Sequence, residues 1–253
     1  MKVVAVHSFK GGTGKSLVAS NIASLYAIEG RDACLLGMDF RAPSLHTIFR
    51  VGRAKWWFND YLDGRCGPWE VLVDVSAKVG SRARLLVAPA DPSPSAIKEV
   101  MAKPIKWERE ALGRLLDFIK WAGGAGLQRC IIDTGPGYLY SSINAIAASD
   151  LVLLVVTGDE ADLEGARQMA SELYRPLERR VAVVLNKVAG AERERIYAAA
   201  SEVGELGGVV GCYCDVASQL QRIVHVSEAP DHPLSKDLRK LLSRVEELLA
   251  RPP

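Results

Sequence analysis

The sequence predicts an α/β fold: one doubly wound, mostly parallel sheet with helices on both faces, a three-layer αβα arrangement. Three observations predict it. Short apolar runs recur along the 253 residues and alternate with amphipathic stretches, the order that repeated strand–helix units impose. Several runs, Leu151–Thr157 and Val181–Leu185 among them, are apolar almost throughout instead of at every second residue, as strands covered on both faces require. The first run, Lys2–His7, leads straight into a glycine-rich turn that opens a helix.

Taken in order, Lys2–His7 is a strand and Ser16–Glu29 a helix, with Leu17, Ile22, Leu25 and Ile28 near helical spacing and Gly30 as its stop. Ala33–Leu36, Arg84–Ala88, Arg129–Asp133, Leu151–Thr157, Val181–Leu185 and Gly208–Cys212 are the further strands. Helical patterns lie between them at Trp107–Trp121, Asp162–Leu173 and Arg193–Val203. Pro233–Leu249 closes the chain as an amphipathic helix, with Leu238, Leu241, Leu242, Val245, Leu248 and Leu249 on one side. No linker, repeat or low-complexity segment interrupts this order, so 1–253 is expected to be a single domain.

Composition sets the outer limits. The chain is 49% hydrophobic and 25% charged with mean hydropathy +0.07, ordinary values for a globular protein. At this length a fold buries roughly three-quarters of its unfolded surface and needs no staples. A net charge of +2 gives no whole-chain reason to bind nucleic acid or acidic lipid. Five cysteines, at 34, 66, 130, 212 and 214, with no secretory leader, argue against a disulfide framework. No apolar stretch approaches the roughly 20 residues that a bilayer demands, so a cytoplasmic protein is expected. Cys212 and Cys214 sit two apart on an expected strand and would share a face, but no second Cys or His pair completes a metal set. Small buried hydrophobes is their plainer reading.

The informative segment is Val3-Val-Ala-Val-His-Ser-Phe-Lys-Gly-Gly-Thr-Gly-Lys-Ser16. Strand, glycine turn and helix follow one another without a break. Glycines let backbone N–H groups converge on phosphate oxygens without interference from a Cβ, and the new helix aims its free N–H groups at the same anion. Lys15 is placed to reach the β- and γ-phosphates and Ser16 to give its hydroxyl to Mg²⁺, so Gly11, Gly12, Thr13, Gly14, Lys15, Ser16 and Leu17 form the expected binding segment. A glycine turn that merely joins strand to helix would not require Gly-Lys-Ser at the junction. Asp133, at the end of an apolar strand, lies where open α/β sheets bind ligands.

Lys10-Gly-Gly-Thr-Gly-Lys-Ser16, with Phe9 where the standard loop has its first glycine, resembles the deviant Walker A motif of the ParA/MinD superfamily of P-loop ATPases. That superfamily contains chromosome-partitioning, division-site and flagellar positioning ATPases, Mrp-type carriers and the nitrogenase iron protein. The resemblance implies an ATP/ADP and Mg²⁺ site in a dimer, with Lys10 reaching the partner's ATP in trans as an arginine finger does. Leu35-Leu-Gly-Met-Asp-Phe-Arg41 resembles the family's Asp-x-Asp segment with Gly37 replacing the first aspartate, and Asp39 would orient the attacking water. It could equally cap the following turn. Cys130-Ile-Ile-Asp-Thr-Gly-Pro-Gly137 resembles Walker B joined to the second switch, so Asp133 would hold Mg²⁺ and Gly135 or Gly137 would swing an N–H toward the γ-phosphate. The implied metal set is Ser16, Asp39 and Asp133. Asn186 would meet the adenine edge, unless it only ends its strand, and Tyr213 and Asp215 align with the family's base-flanking segment.

Other features bear on biological role. Trp56-Trp-Phe-Asn-Asp-Tyr-Leu-Asp63 and Trp69 could be a partner-binding surface or the apolar face of a short packed helix. The basic residues on the final helix suggest the membrane-anchoring tail of MinD-type proteins, although the superfamily fold closes with a packed helix in that place. Arg175, Arg179, Arg180, Arg193 and Arg195 suggest a patch for nonspecific DNA, but Glu178, Glu192 and Glu194 are interleaved as on an ordinary solvated face. The resulting expectation is a dimerising ATPase that acts as a positioning or partitioning switch with an activating partner protein. A nucleotide-gated adaptor with little hydrolysis and an Mrp-like iron–sulfur or metal carrier are the alternatives.

Overall fold

The computed structural model describes residues 1–52, 54–188, 193–218 and 224–251. Among them, eight strands form one sheet: β1 (Lys2–His7), β2 (Ala33–Met38), β3 (Val73–Asp74), β4 (Leu85–Ala88), β5 (Arg129–Thr134), β6 (Leu151–Val156), β7 (Val181–Val188) and β8 (Glu205–Gly211). Their order across the sheet is β3-β4-β2-β5-β1-β6-β7-β8. Every pairing is parallel except that of β3 with β4. β1 lies inside the sheet, and the chain winds outward from it on both sides, which opens a crevice at the strands' C-terminal ends beside it. Register aligns those ends: Asp133 on β5 stands opposite both Val6 on β1 and Gly37 on β2.

The helices are α1 (Lys15–Ile28), α2 (Leu45–Ile48), α3 (Phe58–Leu62), α4 (Pro94–Met101), α5 (Ile105–Gly124), α6 (Tyr140–Ala147), α7 (Glu160–Met169), α8 (Arg193–Ser201), α9 (Cys214–Ser218), α10 (His225–Glu228) and α11 (Pro233–Ala250). α1 and α11 cover one face of the sheet, where they pack with Val4, Val6, Leu35, Ile131 and Leu153. α3, α5 and α6 cover the other beside Val3, Leu36 and Ile132, and α7 and α8 cover β6 and β7. Alternate residues of one strand thus meet different helix layers, which is why the strands carry no alternation to solvent.

Several boundaries differ from the sequence expectation. α1 is enclosed nearly all round: Val18, Ala19, Ile22, Ala23, Leu25, Tyr26 and Ala27 are fully buried, while Leu17 and Ile28 are half-buried. Its buried serines stay satisfied by donating to carbonyls one turn back, Ser20 to Ser16 at 2.6 Å and Ser24 to Ser20 at 2.8 Å. β8 starts at Glu205, three residues before the expected strand, because Gly207 and Gly208 dilute its apolar signal. α7 continues past Met169 through a π turn, Ala170–Tyr174. Of the short helices the sequence expectation reached only α3, inside the Trp56–Asp63 segment, since one turn has no periodicity to read. α4 did have a signal: Ser93 before Pro94, its hydroxyl accepting from the Ala96 N–H at 3.3 Å.

The aromatic segment mostly packs inward. Phe58 and Tyr61 on α3 meet the Phe118 ring of α5 with centroids 5.5 Å apart, and only Trp69 is prominently exposed. The leucines of α11 are likewise buried against α1 and β8, so its apolar face is not available to a bilayer. No helix among the described residues is long and apolar enough to cross a membrane.

Candidate nucleotide-binding site

The loop from Ser8 to Ser16 joins β1 to α1 at the sheet's C-terminal crevice. Gly12 and Gly14 have φ of +80° and +99°, a region that side-chain-bearing residues rarely enter. A Cβ on Gly14 would also stand 2.2 Å from the Asn186 amide nitrogen, so only glycine fits there. The loop's carbonyls are engaged one by one. Ser8 Oγ donates to Lys10 O at 2.8 Å, Lys187 Nζ to Gly12 O at 2.7 Å and Asn186 Nδ2 to Thr13 O at 2.6 Å. The Val18 N–H donates to Gly14 O at 3.0 Å. With these carbonyls held, the amide N–H groups are the polar groups left to meet an anion.

The loop borders a cavity of about 250 Å³, lined by Gly11, Gly12, Gly14, Lys15, Ser16, Asp39, Arg41, Ala42, Ser44, Pro136 and Leu139. Lys15 is buried at the start of α1, an uncommon place for an ammonium unless an anion is to meet it. Asp39 follows β2 and is nearly buried; its Oδ1 accepts from the Ala42 N–H at 3.0 Å, so the turn-capping role and a place in the cavity coexist. At Gly37 a Cβ would lie 3.1 Å from Ala90 N and 3.2 Å from Leu45 Cδ1, so a side chain there requires these neighbours to give way. Gly135 is similarly hemmed, its Cβ position 2.7 Å from Leu139 Cδ1 and 3.4 Å from Asp39 Oδ1.

Asp133 lies beneath this floor, bordering a smaller recess with Gly37, Asp39, Ser44 and Leu45. Burial pushes its carboxyl up to about 7, against the pull of a hydrogen bond with Ser16 and the nearby Lys15 charge. Its Oδ1 is buried without a hydrogen-bond partner among the described residues. An orphaned carboxylate oxygen beside a serine hydroxyl suits a hard divalent cation, so these residues fit Mg²⁺.

The other expected residues are placed differently. Lys10 does not line the cavity; its amine lies 2.8 Å from Asp159 Oδ1, at the cap of α7. Thr13 is buried behind the loop and Leu17 packs against the core. Both ends of the Asn186 amide are engaged within the chain, Nδ2 on Thr13 O and Oδ1 with the Lys187 N–H at 2.9 Å. Tyr213 donates to Asp237 Oδ2 at 2.7 Å, and Asp215 lies 3.0 Å from His232 Nε2, away from the cavity lining. Cys212 and Cys214 do not share a strand face: Cys212 follows the end of β8, Cys214 opens α9, and both are exposed, not buried. Among the described residues no group of three or more His, Cys, Asp or Glu could hold a metal. Of the five arginines weighed as a DNA patch or a solvated face, two are engaged with main-chain carbonyls. Arg179 donates to the carbonyls of Leu177 and Ser149, and Arg180 to that of Leu248. The side chains of Arg193 and Arg195 lie outside the described residues.

Sequence reasoning missed Lys187 and His7. Lys187 has φ +59°, which turns its side chain back onto the loop, and adjacent Asn-Lys at a strand end was the available signal. His7, wholly buried at the end of β1, gave no signal beyond being a polar residue closing an apolar run.

The chain is similar in sequence and fold to known proteins. The sequence profile of the CobQ/CobB/MinD/ParA nucleotide binding domain matches residues 4–233. An uncharacterized ATP-binding protein of Methanocaldococcus jannaschii is 25% identical over 191 residues, 76% of this chain and 66% of that protein. The sporulation initiation inhibitor protein Soj of Bacillus subtilis is 26% identical over 172 residues, 66% of this chain and 63% of its own length. The chain therefore spans just under two-thirds of these relatives. The septum site-determining protein MinD of Pyrococcus horikoshii, solved with Mg-ADP, superposes with a TM-score of 0.80 at 18% identity, covering 98% of this chain and 97% of that one. The match over most of the chain, on a sheet and phosphate loop of this geometry, makes the protein a member of the CobQ/CobB/MinD/ParA nucleotide binding domain family.

Proposed function

We propose that this chain is a Mg-ATP-dependent ATPase that dimerises in its ATP state and serves in the cytoplasm as a positioning or partitioning switch. The observation that carries the reading is the convergence of Lys15, Ser16 and Asp39 on one cavity, with the orphaned Asp133 oxygen at an adjoining recess that shares Asp39 and Ser44. Support also comes from Soj and MinD among the similar proteins. In this reading the loop amides and Lys15 hold the phosphates and Asp39 orients the attacking water through the carboxylate oxygen that Ala42 does not occupy. Ser16 and Asp133 hold Mg²⁺, which supplies neutralisation of phosphate charge. Lys10 leaves Asp159 to reach the partner subunit's nucleotide, and an activating protein completes the cycle.

Light-scattering mass in ADP and in ATP, using Asp39→Ala to block turnover, tests this with and without duplex DNA. An ATP-only dimer that Lys10→Ala abolishes is expected, and DNA binding by that dimer identifies a partitioning-type switch. A monomer throughout overturns the switch reading. Lys15→Ala is expected to abolish ATP binding in calorimetry; unchanged affinity would overturn the site itself.

A further inference from the structure

We infer that His7 is a positioning residue whose imidazole clips the second switch, at Gly137, to Tyr174 at the end of the α7 layer. The inference rests on the ATPase reading for its effect on turnover, though not for the clip itself. His7 is the last residue of β1 and is fully buried. Its Nε2 lies 3.0 Å from Gly137 O and its Nδ1 2.7 Å from Tyr174 Oη. A carbonyl can only accept, so Nε2 carries the proton; Nδ1 is then a bare lone pair and must accept from the Tyr174 hydroxyl. One tautomer satisfies both contacts, and burial keeps the ring neutral by pushing its pKa down to about 3.

The contact matters because of what else holds the switch. Thr134 Oγ1 donates to Val6 O at 2.9 Å, and the Gly137 N–H donates to Ser8 O at 2.9 Å. Gly137, at φ +69°, therefore has both main-chain polar groups fastened to the end of β1 and the start of the loop. Between the anchors lie Gly135, beside Asp39 and with its carbonyl accepting from Ser142 Oγ at 2.8 Å, and Pro136, which lines the cavity. A γ-phosphate that draws the switch inward loads these anchors together, the His7 contact among them. Breaking the His7 contact would strand a buried N–H, so the clip opposes release. Tyr174 is itself buried in the π turn that continues α7, and the other end of α7 carries Asp159, which holds Lys10. π turns recur at functional positions, and this one connects the switch to the helix that parks the trans lysine.

The two ring nitrogens can be tested separately. His7→Gln keeps a donor near the Nε2 position, and His7→Asn keeps an acceptor near the Nδ1 position but loses the reach to Gly137. Amide hydrogen exchange of the full chain without nucleotide reads the clip directly. His7→Asn is expected to speed exchange across 134–139 about tenfold relative to His7→Gln, the scale of one lost buried hydrogen bond. In ATPase assays kcat for His7→Asn is expected to change about tenfold, with KM held within about twofold and recovery in His7→Gln. Equal exchange in the two variants would overturn the clip, and equal kcat with unequal exchange would overturn its link to turnover. If wild type hydrolyses no ATP, the ATPase reading fails while the exchange result still decides the clip. Should His7→Asn not fold, Tyr174→Phe removes the far hydroxyl and is expected to loosen the same segment; unchanged exchange there would overturn the inference.

Discussion

At Asp133 a single side chain shows how a site costs its own fold. Its carboxyl is buried with one oxygen unpartnered among the described residues, and burial raises its pKa from 3.8 to about 7. A carboxyl raised in the fold favours the folded state when protonated, and that contribution is lost as pH rises from about 4 through 7. Asp133→Asn is therefore expected to stabilise the apo protein at pH 8, by at most about 4 kcal/mol, the equivalent of that displacement. The gain should shrink as pH falls toward 4. In calorimetry the same variant should lose its Mg²⁺-dependent nucleotide affinity. A variant no more stable than wild type at pH 8 would show that the orphaned oxygen finds water. His7 behaves oppositely in sign: the fold excludes its proton, so its contribution to stability is lost as pH falls from about 6.5 toward 3.

Among the elements, α11 and α7 show packing that no periodicity announces. Glu246 on α11 accepts from Tyr26 of α1 at 2.8 Å and from Arg129 of β5 at 2.6 Å and 2.9 Å, and it also pairs with Arg31. These partners overcome the burial that would raise it and hold its carboxyl down at about 2. Glu246→Gln is expected to cost about 2 kcal/mol in urea unfolding at pH 7, since it leaves two half-buried guanidiniums facing a neutral group. The difference from wild type should vanish as pH falls from 4.5 toward 2, because a carboxyl lowered in the fold loses its contribution on protonation. On α7, Gly165 meets the Phe9 ring, and an added Cβ would lie 2.2 Å from it. Phe9, which stands where the standard loop has glycine, thus has a structural partner. Gly165→Ala should destabilise by about 1–3 kcal/mol through overpacking, and Phe9→Gly in the same chain should relieve part of that cost. Additive losses in the double variant would break this pairing.

For the molecule as a whole, the proposed ATP dimer requires that Lys10 first leave Asp159, 2.8 Å away in the single chain. Both partners are partly exposed, so the pair is weak and suited to being exchanged. Asp159→Asn keeps an oxygen to cap α7 through the Asp162 N–H and removes the charge. It is expected to lower the protein concentration needed for the ATP dimer, within about fivefold, as read by light scattering. A dimer that forms less readily would mean that Asp159 itself contributes to the interface.

The sheet apart from its two-residue antiparallel edge strand β3, the glycine loop and the places of Lys15, Ser16, Asp39 and Asp133 were legible in the residues alone. Strand runs covered on both faces must be apolar throughout, and a phosphate turn must be glycine with a lysine and a hydroxyl behind it. These demands are local and leave marks over a few consecutive positions. What only the tertiary structure decided is how distant segments close on that loop. Asn186 and Lys187 hold its carbonyls from the end of β7, Gly165 makes room for Phe9, Asp159 holds Lys10, and His7 joins Gly137 to Tyr174. Each of these pairs lies over a hundred residues apart in sequence. Such contacts depend on which strands become neighbours, and a hydrogen bond between residues brought together by the sheet has no period or spacing by which a sequence could reveal it.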